Sequence, residues 1–124
     1  MDKSRILIVD DEPSITKLLQ FALERSGRFE VRCENDGLKA LASAKAFLPH
    51  LVLLDVNLPG ITGGEISAQL QEDPSLRRIP VIYLTGMVSQ EEMGQGLTIG
   101  GHPAIAKPVQ LEKLIECIEA NLPR

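Results

Sequence analysis

Apolar runs divide the chain at intervals of about 20 residues, and most of the segments between them carry apolar residues at helical spacing. The runs cover residues 5–9, 29–33, 51–54, 81–84 and 104–106, and the second of them alternates apolar with charged residues. A short continuous run bounded by turn residues predicts a strand buried on both faces, whereas alternation predicts one wetter face near a sheet edge. The pattern therefore predicts five strands, the second of them at or near an edge.

Amphipathic helices are predicted after these strands, because apolar residues recur there every three or four positions. The first begins at Pro13, which suits the opening turn of a helix, and the third spans 65–71 with Ile66 and Leu70 on its inner face. The apolar positions of the first helix are Ile15, Leu18, Leu19, Ala22 and Leu23; those of the second are Leu38, Leu41 and Ala42; those of the last are Leu111, Leu114, Ile115, Ile118 and Leu122.

One further helix is predicted more weakly after Ser89, which suits an N-cap and is followed three residues later by Glu92, forming a capping box. Gly94 and Gly96 fall in its interior, and each costs roughly 1 kcal/mol relative to alanine.

Five alternations of strand and helix with short connections predict an α/β fold. It consists of a doubly wound, parallel sheet with right-handed crossovers and helices on both faces, a three-layer sandwich. The 124 residues suit one domain, and we expect residues 1–124 to form it, with a core from about 4 to 122.

Charge and composition narrow the class of function. A net charge of −4 and a pI near 5.2 argue against direct binding to nucleic acid or to an anionic membrane surface. No apolar stretch is long enough to span a bilayer, and the first residues do not resemble a signal peptide. Cys33 and Cys117 lie far apart without a metal-binding pattern, so we expect two free thiols in a cytoplasmic protein. His50 and His102 stand alone, and we expect surface positions for both.

Candidate site residues follow the first, third, fourth and fifth predicted strands directly. Because the carboxyl ends of parallel strands share one edge, these side chains should converge there. They are Asp10 and Asp11, then Asp55, then Thr85, then Lys107. Three carboxylates repel one another, and a divalent cation with a preference for oxygen ligands, such as Mg²⁺, relieves that repulsion. A carboxylate left facing the open position is a candidate nucleophile toward phosphorus, with the hydroxyl and the ammonium neutralising phosphoryl oxygens.

These residues, in this order, resemble the receiver domain of two-component response regulators. The resemblance rests on Asp10-Asp11, on Asp55 within Leu-Leu-Asp-Val-Asn-Leu-Pro-Gly, on Thr85-Gly86 and on Lys107-Pro108, and it covers about residues 4–122. It implies a flavodoxin-like (βα)₅ fold with strand order 2-1-3-4-5. It also implies a signalling switch rather than an enzyme, in which a sensor histidine kinase or a phosphotransfer protein donates a phosphoryl group to Asp55.

The same resemblance implies the metal ligands. Asp11 and Asp55 would bind Mg²⁺ directly together with the main-chain carbonyl of Asn57, and Asp10 would act mainly through water. Mn²⁺ would suit the same oxygen ligands. Thr85 would bond a phosphoryl oxygen, and Lys107 would pair with phosphorylated Asp55, with the bond between Lys107 and Pro108 in the cis form.

The region that would report phosphorylation departs from the family. Receivers usually carry Tyr or Phe three residues before the lysine, where this chain has Ala104, and Gly86 stands where alanine is commoner. Aromatic residues make up 3% of the chain, so we expect no neighbouring ring to replace the missing one. We expect the output to involve the glycine-containing helix after Ser89 instead. The output partner and a homodimer are left open.

Two other functions compete with this interpretation. A small phosphohydrolase with Asp55 as nucleophile would need an acid two residues later, where this chain has Asn57. An interaction domain that keeps the receiver fold without phosphorylation would usually lose one of the acidic residues or the lysine, and this chain keeps them all.

Overall fold

Strands and helices alternate over residues 4–85, as the apolar pattern predicts. The computed structural model describes residues 3–86 and 98–123. The strands are β1 (Ser4–Val9), β2 (Phe29–Glu34), β3 (Leu51–Asp55), β4 (Val81–Thr85), β5 (Thr98–Ile99) and β6 (His102–Ala106). The helices are α1 (Pro13–Glu24), α2 (Ala40–Phe47), α3 (Gly63–Glu72) and α4 (Leu111–Asn121), with a 3₁₀ turn at Gly37–Lys39 before α2. The glycine-containing helix predicted after Ser89 lies outside the described residues.

The sheet has the predicted order with one addition. Its order is β2-β1-β3-β4-β6-β5, and the first five strands are parallel, with β2 at one edge as expected. The additional strand β5 pairs antiparallel with the start of β6, which begins two residues earlier than predicted. Gly100 and Gly101, both with positive φ, form the two-residue turn between them, a conformation that glycine adopts without strain. The prediction of five strands was therefore one short.

Both faces of the sheet are covered. Strand β3 shows this most clearly, because all of Leu51–Asp55 is buried and its side chains alternate between the two faces. One face packs against α1 and α4 through Leu19, Leu23, Leu114 and Ile118. The other packs against α2 and α3 through Ala40, Ala44, Ile66 and Leu70. The three-layer sandwich is thus confirmed.

Helical spacing overestimated the inner faces of the first two helices. Leu18 in α1 is 66% exposed, and Leu38 is 68% exposed. Leu38 lies in the 3₁₀ turn, where Asp36 accepts a hydrogen bond from its N–H at 3.0 Å, so it is out of phase with α2. Ala42 is exposed as well, and the buried positions of α2 are Ala40, Ser43 and Ala44.

Helix α3 begins two residues before its predicted start because a capping box at Thr62 sets its first turn. The Thr62 hydroxyl accepts a hydrogen bond from the Glu65 N–H at 3.1 Å, and the Glu65 carboxylate accepts one from the Thr62 N–H at 3.4 Å. The N–H of Gly63 donates to the carbonyl of Val56 at 3.1 Å. These bonds hold the beginning of α3 directly against the loop that follows Asp55.

The two histidines are half-buried, so the expectation of surface positions was wrong. The Nδ1 atom of His50 accepts a hydrogen bond from the Arg5 N–H at 2.8 Å. His102 lies with Nε2 3.4 Å from the Ser67 hydroxyl, and its ring meets the Tyr83 ring edge-on at 5.5 Å between centroids. Both histidines therefore join neighbouring elements of the fold.

Cys33 and Cys117 are free thiols, as predicted, and burial raises the pKa of each. Such thiols are less reactive than exposed ones, because the thiolate is the nucleophilic form. Across residues 3–86 and 98–123, every helix falls short of the length and apolar character that crossing a bilayer requires.

Candidate functional site

The loop after β1 carries two carboxylates in different environments. Asp10 is fully buried, and its Oδ1 atom accepts a hydrogen bond from the Glu12 N–H at 3.0 Å, which turns the chain toward α1. Asp11 is exposed. Asp10 therefore lies at the buried base of the site, and Asp11 lies on the solvent side, from which a ligand would enter.

Asp55 ends β3 and repeats the local geometry of Asp10. It is 5% exposed, and its Oδ1 atom accepts a hydrogen bond from the Asn57 N–H at 3.1 Å. Its other oxygen, Oδ2, accepts a hydrogen bond from the Lys107 ammonium at 3.1 Å. The carboxylate is therefore oriented from both sides.

Lys107 follows β6 and joins two of the acids. Its main-chain N–H donates to the Thr85 carbonyl at 2.8 Å, while Nζ lies 2.8 Å from Asp10 Oδ2 and 3.1 Å from Asp55 Oδ2. The peptide bond between Lys107 and Pro108 is cis, which confirms that prediction. The ammonium thus spans residues that lie far apart in the chain.

Thr85 completes the edge at the end of β4. It is buried, and it lies one residue beyond Leu84, which is the register partner of Asp55. Its own register partner is Ala106, the residue before Lys107. Gly86, which follows Thr85 in the chain, and Pro108, which follows Lys107, are both exposed. The topology therefore brings Thr85 between the strands that carry Asp55 and Lys107.

The three carboxylates form a cluster suited to a cation. Asp10, Asp11 and Asp55 each offer one oxygen, and these oxygens all lie within 4.8 Å of one another. The Lys107 ammonium pairs with two of these three carboxylates, so the four side chains together carry a formal charge of −2. Hard oxygen donors and this charge fit a divalent cation of the Mg²⁺ type.

Burial and neighbouring charge shift the ionisation of the site. Burial, together with the negative charge of Asp10, raises the pKa of Asp55, although the hydrogen bonds from Asn57 and Lys107 oppose this change. Burial alone would lower the pKa of Lys107, but hydrogen bonds and attraction to Asp10 and Asp55 outweigh it and raise that pKa. The lysine is therefore a permanent cation at neutral pH.

The strand beside Ala104 carries a buried aromatic ring, while the expectation that no ring replaces the missing one stays a prediction. Tyr83 on β4 is the register partner of Ala104 on β6, and both belong to the same buried cluster. The ring of Tyr83 also contacts His102. Each residue is the third of five in its strand, and the sequence indicates their proximity only when the strand pairing is known.

A comparison with protein-family models matches residues 6–119 to the response regulator receiver domain. The chain belongs to this family. Membership confirms the flavodoxin-like fold and assigns the domain to two-component phosphorelay signalling, where receivers act as switches that interact with histidine kinases or phosphotransfer proteins.

Individual relatives agree with the assignment. The chain is 39% identical over 122 residues to the uncharacterized transcriptional regulatory protein YkoG of Bacillus subtilis, covering 98% of this chain and 52% of that protein. It is 37% identical over 125 residues to the polar-differentiation response regulator DivK of Brucella anthropi, covering 98% of each. The chemotaxis response regulator CheY4 of Vibrio cholerae superposes with a TM-score of 0.83 at 29% identity, covering 98% of this chain and all of that one. The chain thus spans about half the length of YkoG and nearly all of DivK.

Proposed function

We propose that this receiver accepts a phosphoryl group on Asp55 from the phosphohistidine of a sensor histidine kinase or a phosphotransfer protein, and that this modification switches its interactions with an output partner. The observation that carries the proposal is the environment of the Asp55 carboxylate. One oxygen accepts the Asn57 N–H, the other accepts the Lys107 ammonium, and the oxygens of Asp10 and Asp11 lie within 4.8 Å.

The reaction is an in-line transfer between two nucleophiles. An Asp55 oxygen forms a bond to phosphorus while the bond from phosphorus to the imidazole nitrogen of the donor breaks, and the nitrogen keeps the bonding electrons. The Lys107 ammonium neutralises charge on the phosphoryl oxygens, and the Thr85 hydroxyl donates a hydrogen bond to one of them. Lys107 already contacts Asp55 before the reaction, so it needs no backbone movement to do this.

Asp11, Asp55 and the main-chain carbonyl of Asn57 would hold Mg²⁺, with Asp10 acting mainly through water. Mn²⁺ also suits these oxygen ligands. When bound, the cation supplies positive charge opposite the phosphoryl oxygens. Of the two neighbouring acids, Asp11 is exposed and Asp10 is fully buried, which supports giving the direct contact to Asp11.

Residues 1–124 form one receiver domain in this proposal, and it acts in the cytoplasm, where the free thiols Cys33 and Cys117 stay reduced. Its output is a further domain of the same polypeptide or a separate protein, and a homodimer is one form that the signal can take. The partial coverage of YkoG and the full coverage of DivK support both arrangements.

The test is phosphorylation by acetyl phosphate with Mg²⁺, followed by the mass of the intact protein. The wild type should gain one phosphoryl group, and this gain should disappear in Asp55→Asn and when the metal is chelated. Asp73→Asn is the matched control, because Asp73 also accepts an N–H two residues later, from Ser75 at 2.8 Å, but lies at the end of α3.

Each competing function has its own outcome in this assay. A wild type that stays unmodified would indicate an interaction domain that works without phosphorylation. Continuous release of phosphate from unrelated phosphomonoesters would indicate a phosphohydrolase.

A further inference from the structure

The loop that carries Asp10 and Asp11 is held by a side chain from another strand. Asn35 directly follows β2, and its Nδ2 atom donates hydrogen bonds to the Asp10 carbonyl at 2.8 Å and to the Thr16 hydroxyl oxygen at 3.0 Å. Thr16 is buried in α1, and its hydroxyl donates to the Pro13 carbonyl at 3.2 Å. One amide therefore connects the end of β2, the acidic loop and the first turns of α1.

The contact with the Asp10 carbonyl acts on Asp11 through the peptide bond. That carbonyl belongs to the planar peptide unit that joins the two residues, so holding its oxygen sets the direction in which Asp11 leaves the loop. The loop needs such support, because three carboxylate oxygens lie within 4.8 Å of one another and repel when no cation is bound. Lys107 offsets part of the repulsion by bonding Asp10 and Asp55.

A main-chain bond also ties Asp10 to β2, from the Asp10 N–H to the Glu34 carbonyl at 3.2 Å. Of these two bonds between the end of β2 and Asp10, only that of the Asn35 amide can be removed by a side-chain substitution. Asn35 is exposed, so replacing it leaves no hole in the core.

We propose that Asn35 is a positioning residue for the metal site. Its amide holds the peptide between Asp10 and Asp11 in the orientation that lets both carboxylates meet Asp55 around a divalent cation. The inference rests on the proposed function only for the presence of that cation, and it concerns binding rather than phosphoryl transfer.

The test measures the dissociation constant of Mg²⁺ for the unphosphorylated protein, from the increase in the urea midpoint with Mg²⁺ concentration. Asn35→Ala should weaken Mg²⁺ binding about three- to tenfold, the effect of one net hydrogen bond on an equilibrium. Asn121→Ala is the matched control. Its Nδ2 donates to the Cys117 carbonyl at the same 2.8 Å, but at the end of α4, away from the edge that carries the acids. The control should keep the wild-type dissociation constant even if it unfolds more easily.

Thr16 provides a second, independent variant. Thr16→Val removes the hydroxyl that accepts the Asn35 amide and should weaken Mg²⁺ binding, as Asn35→Ala does. Thr16→Ser keeps the hydroxyl and should bind Mg²⁺ as the wild type does. The double variant Asn35→Ala with Thr16→Val should lose less Mg²⁺ binding free energy than the two single variants lose together, because both substitutions remove the same support.

A merely structural role would lower the stability of the metal-free protein and leave the dissociation constant unchanged. The proposal is overturned if Asn35→Ala and Thr16→Val both bind Mg²⁺ within twofold of the wild type, or if the wild type binds no Mg²⁺. A wild type that binds Mg²⁺ but gives no phosphorylated product refutes the proposed function alone, and weaker binding by Asn35→Ala then still supports the positioning role.

Discussion

Gly63→Ala tests how closely α3 is packed against the phosphoacceptor strand. A Cβ atom at this position would lie 2.7 Å from the Asp55 carbonyl oxygen, 3.1 Å from Val56 Cα and 3.3 Å from the Tyr83 ring. Real Cβ atoms essentially never come closer than 3.0 Å to such an atom, and ordinary van der Waals contact at 3.4 Å would need the distance to the Asp55 oxygen to increase by 0.7 Å. The two nearest atoms belong to the backbone, so they cannot rotate away, and either α3 or the end of β3 must shift.

The magnitude follows from two opposing effects. Overpacking of this kind costs about 1–3 kcal/mol, and replacing glycine by alanine in a helix returns up to about 1 kcal/mol. We therefore expect Gly63→Ala to lower the free energy of unfolding by about 1–2 kcal/mol. Gly64→Ala is the matched control, because its Cβ would meet only the Thr62 hydroxyl at 3.9 Å. The free energy of unfolding of Gly64→Ala should equal that of the wild type or exceed it by up to about 1 kcal/mol.

Urea unfolding of both variants at neutral pH without added metal measures the difference, with equal slopes confirming that the same surface unfolds. Because the closest atom is the Asp55 carbonyl oxygen, Gly63→Ala should also be phosphorylated more slowly than Gly64→Ala. If the two variants prove equally stable, α3 yields without strain and the reasoning from close packing fails.

Three further predictions concern stability, each checked by urea unfolding. Thr62→Ala removes the capping box of α3 and should lower the free energy of unfolding by about 1 kcal/mol. A variant as stable as the wild type would contradict this prediction. Leu114→Ala in the core should cost about 2–5 kcal/mol, and clearly more than Leu111→Ala, which starts from a side chain 38% exposed. Hydrogen bonds from Ser75 hold the pKa of Asp73 below its usual range. The stabilisation from this carboxylate is therefore complete above about pH 4 and is lost as the pH falls through the lower, folded-state pKa. The stability difference between the wild type and Asp73→Ala should narrow on acidification below about pH 4, and a constant difference would contradict this assignment.

The strand ends were predictable from the sequence because their signal is local. An apolar run that stops at a polar residue identifies both the strand and the residue at its carboxyl end, as at Val9 before Asp10 and at Leu54 before Asp55. Parallel pairing then brings those ends to one edge without further information. The pairing of Lys107 with phosphorylated Asp55 was implied by the resemblance to the receiver family instead, and the structure shows the lysine already bonded to the unmodified carboxylate.

Other features depend on register between distant segments, and the sequence could not indicate them. Tyr83 lies beside Ala104 only because of how β4 pairs with β6. Asn35 reaches the Asp10 carbonyl only because β2 pairs alongside β1. The exposure of Leu38 has a different cause, since a 3₁₀ turn changes the helical phase that periodicity assumes to be constant.

The attachment of Lys107 has a consequence for the order of events in time. Its backbone is bonded to the Thr85 carbonyl, so only the side chain is free to exchange Asp10 or Asp55 for a new partner. Rotamer changes of exposed side chains take picoseconds to nanoseconds, whereas collective movements of helices take microseconds to milliseconds. Because the exchange at Lys107 is confined to one side chain, it does not have to wait for a helix to move, and the charges at the site can rearrange before the surface of the domain does.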